Sequence, residues 1–90
     1  MSITVSLPTI LRTYANDQRR IEGEGSTLGS LIDNLEASYP GLKDRIVEDG
    51  GIRRYVNVYI NSEDVRFLNG IDSPLTSGDE VDILPAVAGG

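Results

Sequence analysis

The residues with the clearest chemical potential are the last two, Gly89 and Gly90, which follow the strand-like segment VDILP at residues 81–85. A free carboxylate at Gly90 could serve as an acyl group once it is activated. Glycine lacks a Cβ, so the backbone there can approach a partner closely and adopt φ values closed to other residues. Small residues are also common where a chain end packs against nothing. The tail alone therefore leaves two interpretations open, a loose end and a working carboxylate.

Side chains that normally perform covalent or metal chemistry are scarce in this chain. It contains no histidine and no cysteine, which excludes a Ser-His-Asp triad, a cysteine nucleophile and zinc sites built from Cys and His. The carboxylates are scattered over turns and the helix, and none has the spacing of an EF-hand calcium loop. We therefore predict that the protein is not an enzyme and that it binds no cofactor or metal itself.

Size and charge limit the class of protein further. The 90 residues suffice for one domain, and 8 basic against 14 acidic residues give a net charge of −6. Because nucleic acids and anionic membranes attract basic surfaces, we expect neither as a partner, whereas a basic protein surface would be steered towards the chain. No apolar run has the length that spans a bilayer, and the N-terminus does not read as a signal peptide. A cytoplasmic location is expected.

Five segments predict the strands that must hold the tail. They share alternating polarity or enrichment in β-branched and aromatic residues, and they cover residues 3–7, 18–24, 53–61, 65–67 and 80–85. In the third, the even positions should face the core, so that Tyr55 and Tyr59 point to the other face. In the last, Val81 and Ile83 should face inward and Leu84 outward.

One amphipathic helix is predicted between the second and third strands. Its apolar stripe has helical spacing and consists of Leu28, Leu31, Ile32, Leu35 and Tyr39. Ser26 or Thr27 is expected to cap its start, and Pro40 to end it. Gly29 inside the helix has no explanation at the level of sequence.

Two segments are predicted as irregular connections, residues 9–16 and the polar residues 41–52, the second of them a mobile loop. Apolar residues within the two that should contact the core are Ile10, Leu11, Tyr14, Leu42 and Ile46. Phe67, in the short fourth strand, is also expected in the core.

This order of elements predicts an α+β fold in which one main helix packs on one face of a mixed sheet of four to five strands. The first and last strands are Val- and Ile-rich and should lie side by side at the centre as parallel neighbours, which is the ubiquitin-like β-grasp. Residues 1–85 would form this domain, and residues 86–90 a free, flexible C-terminal tail.

Three stretches resemble the MoaD/ThiS family of ubiquitin-like sulfur carriers. They are STLGSLIDNLEASYPG at residues 26–41, YVNVYINSEDVRF at 55–67 and SGDEVDILPAVAGG at 77–90. In that family a Gly-Asp turn precedes the final strand, an apolar-Pro step follows it and the chain ends in Gly-Gly. The ending and residues 53–67 look most similar to the branch that carries sulfur for cysteine biosynthesis. Carriage for molybdopterin or a thiamine thiazole, a ubiquitin-like protein modifier and a module binding through its sheet face are the alternatives.

The resemblance implies a carrier whose Gly90 carboxylate is adenylated with ATP by a partner enzyme and converted to a thiocarboxylate. For the cysteine branch it also implies a pyridoxal-phosphate-dependent cysteine synthase that receives the sulfur, and a peptidase that releases cysteine. ATP and pyridoxal phosphate are thus expected on the partners. The residues that would thread into the partners' active sites are Ala86, Val87, Ala88 and Gly89.

Three residues beside the tail predict a docking face for these partners. Tyr55, Tyr59 and Leu84 should project from the sheet face opposite the helix, and exposed aromatic and aliphatic clusters often mark interfaces. The alternative is that the tyrosine rings cover the sheet with their hydroxyls in water.

Overall fold

The computed structural model describes residues 2–85, so the predicted flexible tail of residues 86–90 lies outside the described part of the chain. Within residues 2–85 the strands and α-helices are β1 (Ile3–Ser6), β2 (Arg20–Gly23), α1 (Leu28–Ser38), α2 (Lys43–Ile46), β3 (Val47–Glu48), β4 (Gly51–Ile52), β5 (Val56–Ile60), β6 (Glu63–Asp64) and β7 (Glu80–Pro85). Turns of 3-10 helix occupy Thr9–Ala15, Val65–Phe67 and Gly70–Asp72. No helix in this part of the chain is long and apolar enough to cross a membrane.

The main sheet has the strand order β2-β1-β7-β5-β6, and β3 pairs with β4 in a separate hairpin. The first and last strands are parallel neighbours, with Val5 opposite Val81. β5 runs antiparallel to β7 and places Val58 opposite Ile83. The structure thus confirms the predicted ubiquitin-like β-grasp with a mixed sheet of five strands and one main helix.

The core lies between α1 and the inward face of the sheet. The predicted strand alternation is confirmed, because Ile3, Val5, Val81 and Ile83 are all buried. The predicted helix stripe is buried as well at Leu28, Leu31, Ile32 and Leu35, while Tyr39 at the end of the helix is half-buried. Burying one such leucine contributes about 1.5–3 kcal/mol to the free energy of unfolding.

Thr27, one of the two predicted capping residues, starts α1. Its side-chain oxygen accepts a hydrogen bond from the Ser30 backbone N–H at 3.2 Å, and the Ser30 hydroxyl accepts one from the Thr27 backbone N–H at 3.0 Å. This reciprocal pair satisfies two donors that a helix start leaves without intrahelical partners. The stripe of α1 is therefore held at a fixed angle over the sheet.

The prediction of an irregular connection over residues 41–52 is wrong. Leu42 and Ile46 are fully buried, as predicted, but they belong to α2 and its approach, and the hairpin β3–β4 follows. The carboxylate of Glu36, at the end of α1, accepts hydrogen bonds from the backbone N–H groups of Gly41 at 3.0 Å and Lys43 at 2.8 Å. These bonds fix the start of α2 from outside the segment, so its own residues do not reveal them.

Two apolar residues that were predicted to lie in the core are exposed. Residues 65–67 form a 3-10 turn and no strand, since the Asp64 side chain accepts a hydrogen bond from the Arg66 backbone N–H at 2.9 Å. The turn buries Val65 and leaves Phe67 87% exposed. Residues 9–15 are also 3-10 helix, which buries Leu11 as predicted but leaves Ile10 68% exposed.

Gly25 permits α1 to lie close to the end of β2, and this predicts a destabilising substitution. An added Cβ there would overlap the backbone nitrogen of Leu31 and lie 2.8 Å from its Cα. Because helix backbone cannot rotate away, we expect Gly25→Ala to lower the free energy of unfolding by about 1–3 kcal/mol. Gly51 is the matched control, since a Cβ there meets nothing within 4 Å, and Gly51→Ala should be neutral or slightly stabilising. Urea unfolding measures both, and equal effects of the two substitutions would contradict this packing.

Candidate functional site

The candidate site is the end of the sheet at which β7 stops, because the predicted tail begins there. β7 is paired on both sides, with β1 and with β5, and its last residue Pro85 lies opposite Val56. We call the end of the sheet marked by Leu7, Val56 and Pro85 the tail-exit end. β1 accompanies β7 over Glu80–Asp82, and the end of β7 at Pro85 is paired with β5.

The other end of β7 is fixed by a turn whose sequence signal was the Gly-Asp pair. The Asp79 carboxylate accepts hydrogen bonds from the Thr76 backbone N–H at 2.8 Å and from the Asn61 side-chain amide at 3.0 Å. The Asn61 side-chain oxygen accepts the Glu80 backbone N–H at 3.0 Å. Gly78 has a φ of +91°, which favours glycine. The motif thus sets the register of the strand that ends at the tail.

The structure brings together two of the three residues predicted to form the docking face. Tyr55 is 58% and Leu84 48% exposed, and both line one cleft at the tail-exit end. Tyr59 lies deeper in the sheet, opposite Asp82, is half-buried and does not line this cleft. The outward face of β5 and β7 is thus apolar near the tail and more polar away from it.

The cleft at the tail-exit end has a volume of about 260 Å³. Its lining combines apolar and cationic side chains, among them Ile10, Leu11, Tyr14, Arg45, Arg53, Tyr55, Leu84 and Pro85. Ile10 belongs to this surface because the 3-10 helix turns it outward. A 3-10 helix this short leaves no periodic signal in the sequence. Together with Tyr55 and Leu84 it forms an exposed apolar rim around the start of the tail.

Two arginines also line this cleft, and hydrogen bonds hold both of them. The Arg45 Nε donates a hydrogen bond to the Tyr14 hydroxyl at 2.9 Å, and its guanidinium carbon lies 5.4 Å from the centroid of that ring, within cation–π range. The Arg53 Nε donates to the Asp44 carbonyl at 2.6 Å and its Nη1 to the Glu48 carboxylate at 3.2 Å. Both arginines come from or adjoin the segment around α2, whose fold depends on α1.

A polar cluster covers the sheet face next to Leu84. The Arg66 Nη2 donates hydrogen bonds to the Asp64 carboxylate at 2.8 Å and to the Asn57 side-chain oxygen at 2.9 Å. Within residues 2–85, no group of three or more Asp, Glu, His or Cys side chains could hold a metal ion.

The predicted working end of the tail lies outside the described residues. This applies to Gly90, the predicted point of sulfur attachment, and to the predicted threading residues Ala86, Val87, Ala88 and Gly89. The structure describes the strand that delivers them and the surface from which they leave.

Comparisons with known proteins cover the whole of this architecture. Residues 5–90 match the model of the ThiS family. The sulfur carrier protein CysO of Mycobacterium tuberculosis is 47% identical over 93 residues, which cover 100% of both chains. A chain of the crystal structure of the Amycolatopsis orientalis BexX/CysO complex has a TM-score of 0.92 and 45% identity, covering 98% of this chain and 99% of that one. Small archaeal modifier protein 3 of Haloferax volcanii is 42% identical over 67 residues, 74% of this chain and 73% of its own.

Asp64 and Asp79, which fix the sheet face and the start of β7, predict a loss of stability in acid. The hydrogen bond from the Arg66 side chain holds the pKa of Asp64 below its usual value, and the backbone N–H of Thr76 does the same for the pKa of Asp79. A lowered pKa in the folded state adds stability that is fully present above the pKa of unfolded aspartate, about 3.9. That stability is lost as the pH falls through the lower folded-state values. We expect the free energy of unfolding to decline below about pH 4.

Urea unfolding measured from neutral pH to acid checks this expectation. Asp64→Asn and Asp79→Asn should each be less stable than the wild type at pH 7 and should show a shallower decline, because the group whose pKa shifts is gone. Asp17→Asn is the control, since the Asp17 side chain makes no hydrogen bond within the described residues and Asn also tolerates its φ of +61°. If both variants kept the wild-type pH dependence, these carboxylates would not be its source.

Proposed function

We propose that this protein carries sulfur as a thiocarboxylate on Gly90. The chain belongs to the ThiS family and is a sulfur carrier protein, and the proposal specifies how the sulfur is held. The observation that supports this best is the full-length identity to the sulfur carrier CysO, within a family match that includes the terminal Gly89 and Gly90. The central position of β7 adds to it, because the fold places the beginning of the tail beside an exposed apolar rim.

The chemistry requires activation, because a carboxylate is a poor acyl donor whose leaving group would be oxide. An adenylating partner transfers AMP from ATP to the Gly90 carboxylate and releases pyrophosphate. A hydrosulfide ion then attacks the carbonyl carbon, AMP departs with the electrons of its C–O bond, and loss of the S–H proton leaves a thiocarboxylate. In this scheme the chain is a co-substrate, and every catalytic residue belongs to a partner.

The product that we propose is cysteine. A pyridoxal-phosphate-dependent cysteine synthase would provide the carbon acceptor for the thiocarboxylate sulfur. A shift of the acyl group from sulfur to nitrogen would then leave cysteine joined to Gly90 by a peptide bond, and a peptidase would release it and restore the Gly-Gly end. The CysO proteins at 45–47% identity support this branch. We place the reactions in the cytoplasm.

The fold suits delivery of a narrow arm into a buried site. From Ala86 to Gly90 the extended chain reaches at most about 17 Å. These residues carry at most a small aliphatic side chain, so we infer that they thread a channel too narrow for bulkier residues. Pro85 has no N–H and disfavours further pairing, which helps the chain to leave the sheet. Tyr55 and Leu84, with Ile10, would contact the partner around the entrance of that channel.

The position of the carboxylate predicts the result of shortening the tail. Deleting Gly90 moves the carboxylate back by about 3.5 Å, so it should no longer reach the adenylating centre. We expect intact-mass spectrometry, after incubation with the adenylating enzyme, ATP and a sulfur source, to show exchange of oxygen for sulfur in the wild type and none in the deletion variant. Thermal unfolding should be unchanged.

Gly90→Ala serves as the control for this experiment, since it keeps the reach and adds one methyl group, and it should load slowly. Normal loading of the deletion variant would contradict the threading of the tail.

The likeness to small archaeal modifier protein 3 favours a second candidate function, attachment to other proteins. Gly90 found only in amide bonds to lysines, and never as a thiocarboxylate, would support that function instead.

Substitutions in the apolar rim should weaken docking without lowering the stability of the domain. Tyr55→Ser and Leu84→Ser should each weaken binding to the adenylating enzyme about tenfold, because truncation of a buried interface anchor costs at least about 1–2 kcal/mol. Their own stability should change little, since both side chains are about half exposed. Phe67→Ser is the control, because Phe67 is 87% exposed but does not line the cleft. Isothermal titration calorimetry measures the three dissociation constants, and a larger loss for Phe67→Ser would move the docking face elsewhere.

A further inference from the structure

Arginines gather near the tail-exit end of a chain whose net charge is −6. Of its 8 basic residues, four line depressions that meet beside β5: Arg45, Arg53, Arg54 and Arg66. The cleft at the tail-exit end contains the first two, and a second depression of about 430 Å³ contains the last three. Both depressions include Arg53 and Val56, so they form one continuous surface. We call these four residues the arginine band.

Half of the charge of the band is not neutralised within the described residues. Arg53 pairs with Glu48 at 3.2 Å and Arg66 with Asp64 at 2.8 Å. Arg45 and Arg54 form no ion pair with a carboxylate in this part of the chain. Arg45 is instead held by the neutral ring and hydroxyl of Tyr14. The band therefore presents two cations available to a partner, Arg45 in a position set by Tyr14 and Arg54 on an exposed side chain.

Glu48 and Asp64 are the carboxylates paired with the band, and a further group of carboxylates lies near the opposite end of the sheet. Asp79 and Glu80 are at the start of β7, where Glu80 pairs with Thr4, and Glu63 lies beside them across the β5–β6 turn. Glu24 lines a depression at this end together with Ile3 and Thr76. Two arginines without an ion-pair partner in residues 2–85 thus lie beside the tail-exit end of a chain whose net charge is negative.

We infer, on the basis of the proposed function, that the arginine band binds a carboxylate-rich surface of the adenylating enzyme beside the entrance for the tail. Arginine suits this role because its planar guanidinium forms paired hydrogen bonds with a carboxylate. Val56, Ile52 and Ile71 line the same surface and supply apolar area between the charges. Two long cationic side chains without ion-pair partners, next to the point where the tail leaves, match an acidic protein surface and not a basic one. This reverses the partner charge that the net charge of the chain predicts.

The inference is tested by whether removing one positive charge raises or lowers the dissociation constant for the adenylating enzyme. We expect Arg45→Gln and Arg54→Gln each to raise the dissociation constant for the adenylating enzyme about threefold to fivefold and to flatten its dependence on salt. Arg54→Lys keeps the charge but not the paired hydrogen bonds, so it should restore the salt dependence and only part of the affinity. Lys43→Gln is the matched control on the same short helix as Arg45, because the Lys43 Nζ lies 2.5 Å from Asp33 of α1 and does not line the band. It should leave the dissociation constant unchanged.

Each result of these binding measurements either supports or contradicts the inference. If all three glutamine variants bind more tightly, the net charge steers a basic partner surface and the inference is wrong. Unchanged binding of both arginine variants, or no measurable binding of the wild type, would also overturn it. Sulfur loading is measured in parallel by intact mass on the wild type and on both arginine variants. A wild type that binds through the band but never loads would contradict the proposed function and leave this inference standing. Arginine variants that bind and load as the wild type does would contradict this inference and leave the proposed function standing.

Discussion

The structure depends on one constraint: its last strand is paired on both sides. β7 places Val81 and Ile83 in the core and shares its backbone hydrogen bonds with β1 and β5. A strand so placed cannot shift its register by one residue without turning its buried face outward. The point at which Pro85 leaves the sheet is therefore fixed by the whole domain. The turn at Asp79 and the two hydrogen bonds of Asn61 act at the start of this strand.

Regular periodicity made the centre of this fold predictable. Alternation at Ile3, Val5 and Leu7, the same pattern in β5 and β7, and the stripe of α1 are properties of adjacent residues, so the sequence contains them directly. The segments that escaped prediction are held by distant partners. α2 begins where Glu36 accepts its first N–H groups, and the turn at Val65–Phe67 follows from the Asp64 side chain. Gly29 is explained only in three dimensions, since a Cβ there would lie 3.1 Å from the Ile71 side chain.

The residues of the candidate site likewise fall into those that local sequence patterns predict and those that they do not. Tyr55 and Leu84 were predictable because they are the outward members of alternating strands beside the tail. Ile10 and Arg45 were not, because a 3-10 helix and a four-residue helix bring them to the cleft. Net charge was a poor guide for a related reason: it is a total and does not say where on the surface each charge lies. Encounter with a partner responds to the local field where the surfaces meet, and not to the total.

The alternation along β7 has a consequence for how such a protein changes over evolutionary time. Its inward residues, Val81 and Ile83, are constrained by the packing of the domain, whereas Leu84 on the outward side is about half exposed and lies outside that constraint. A substitution on the outward side should therefore cost little stability. The surface at the end of β7 can thus change over generations while the fold that positions it stays the same.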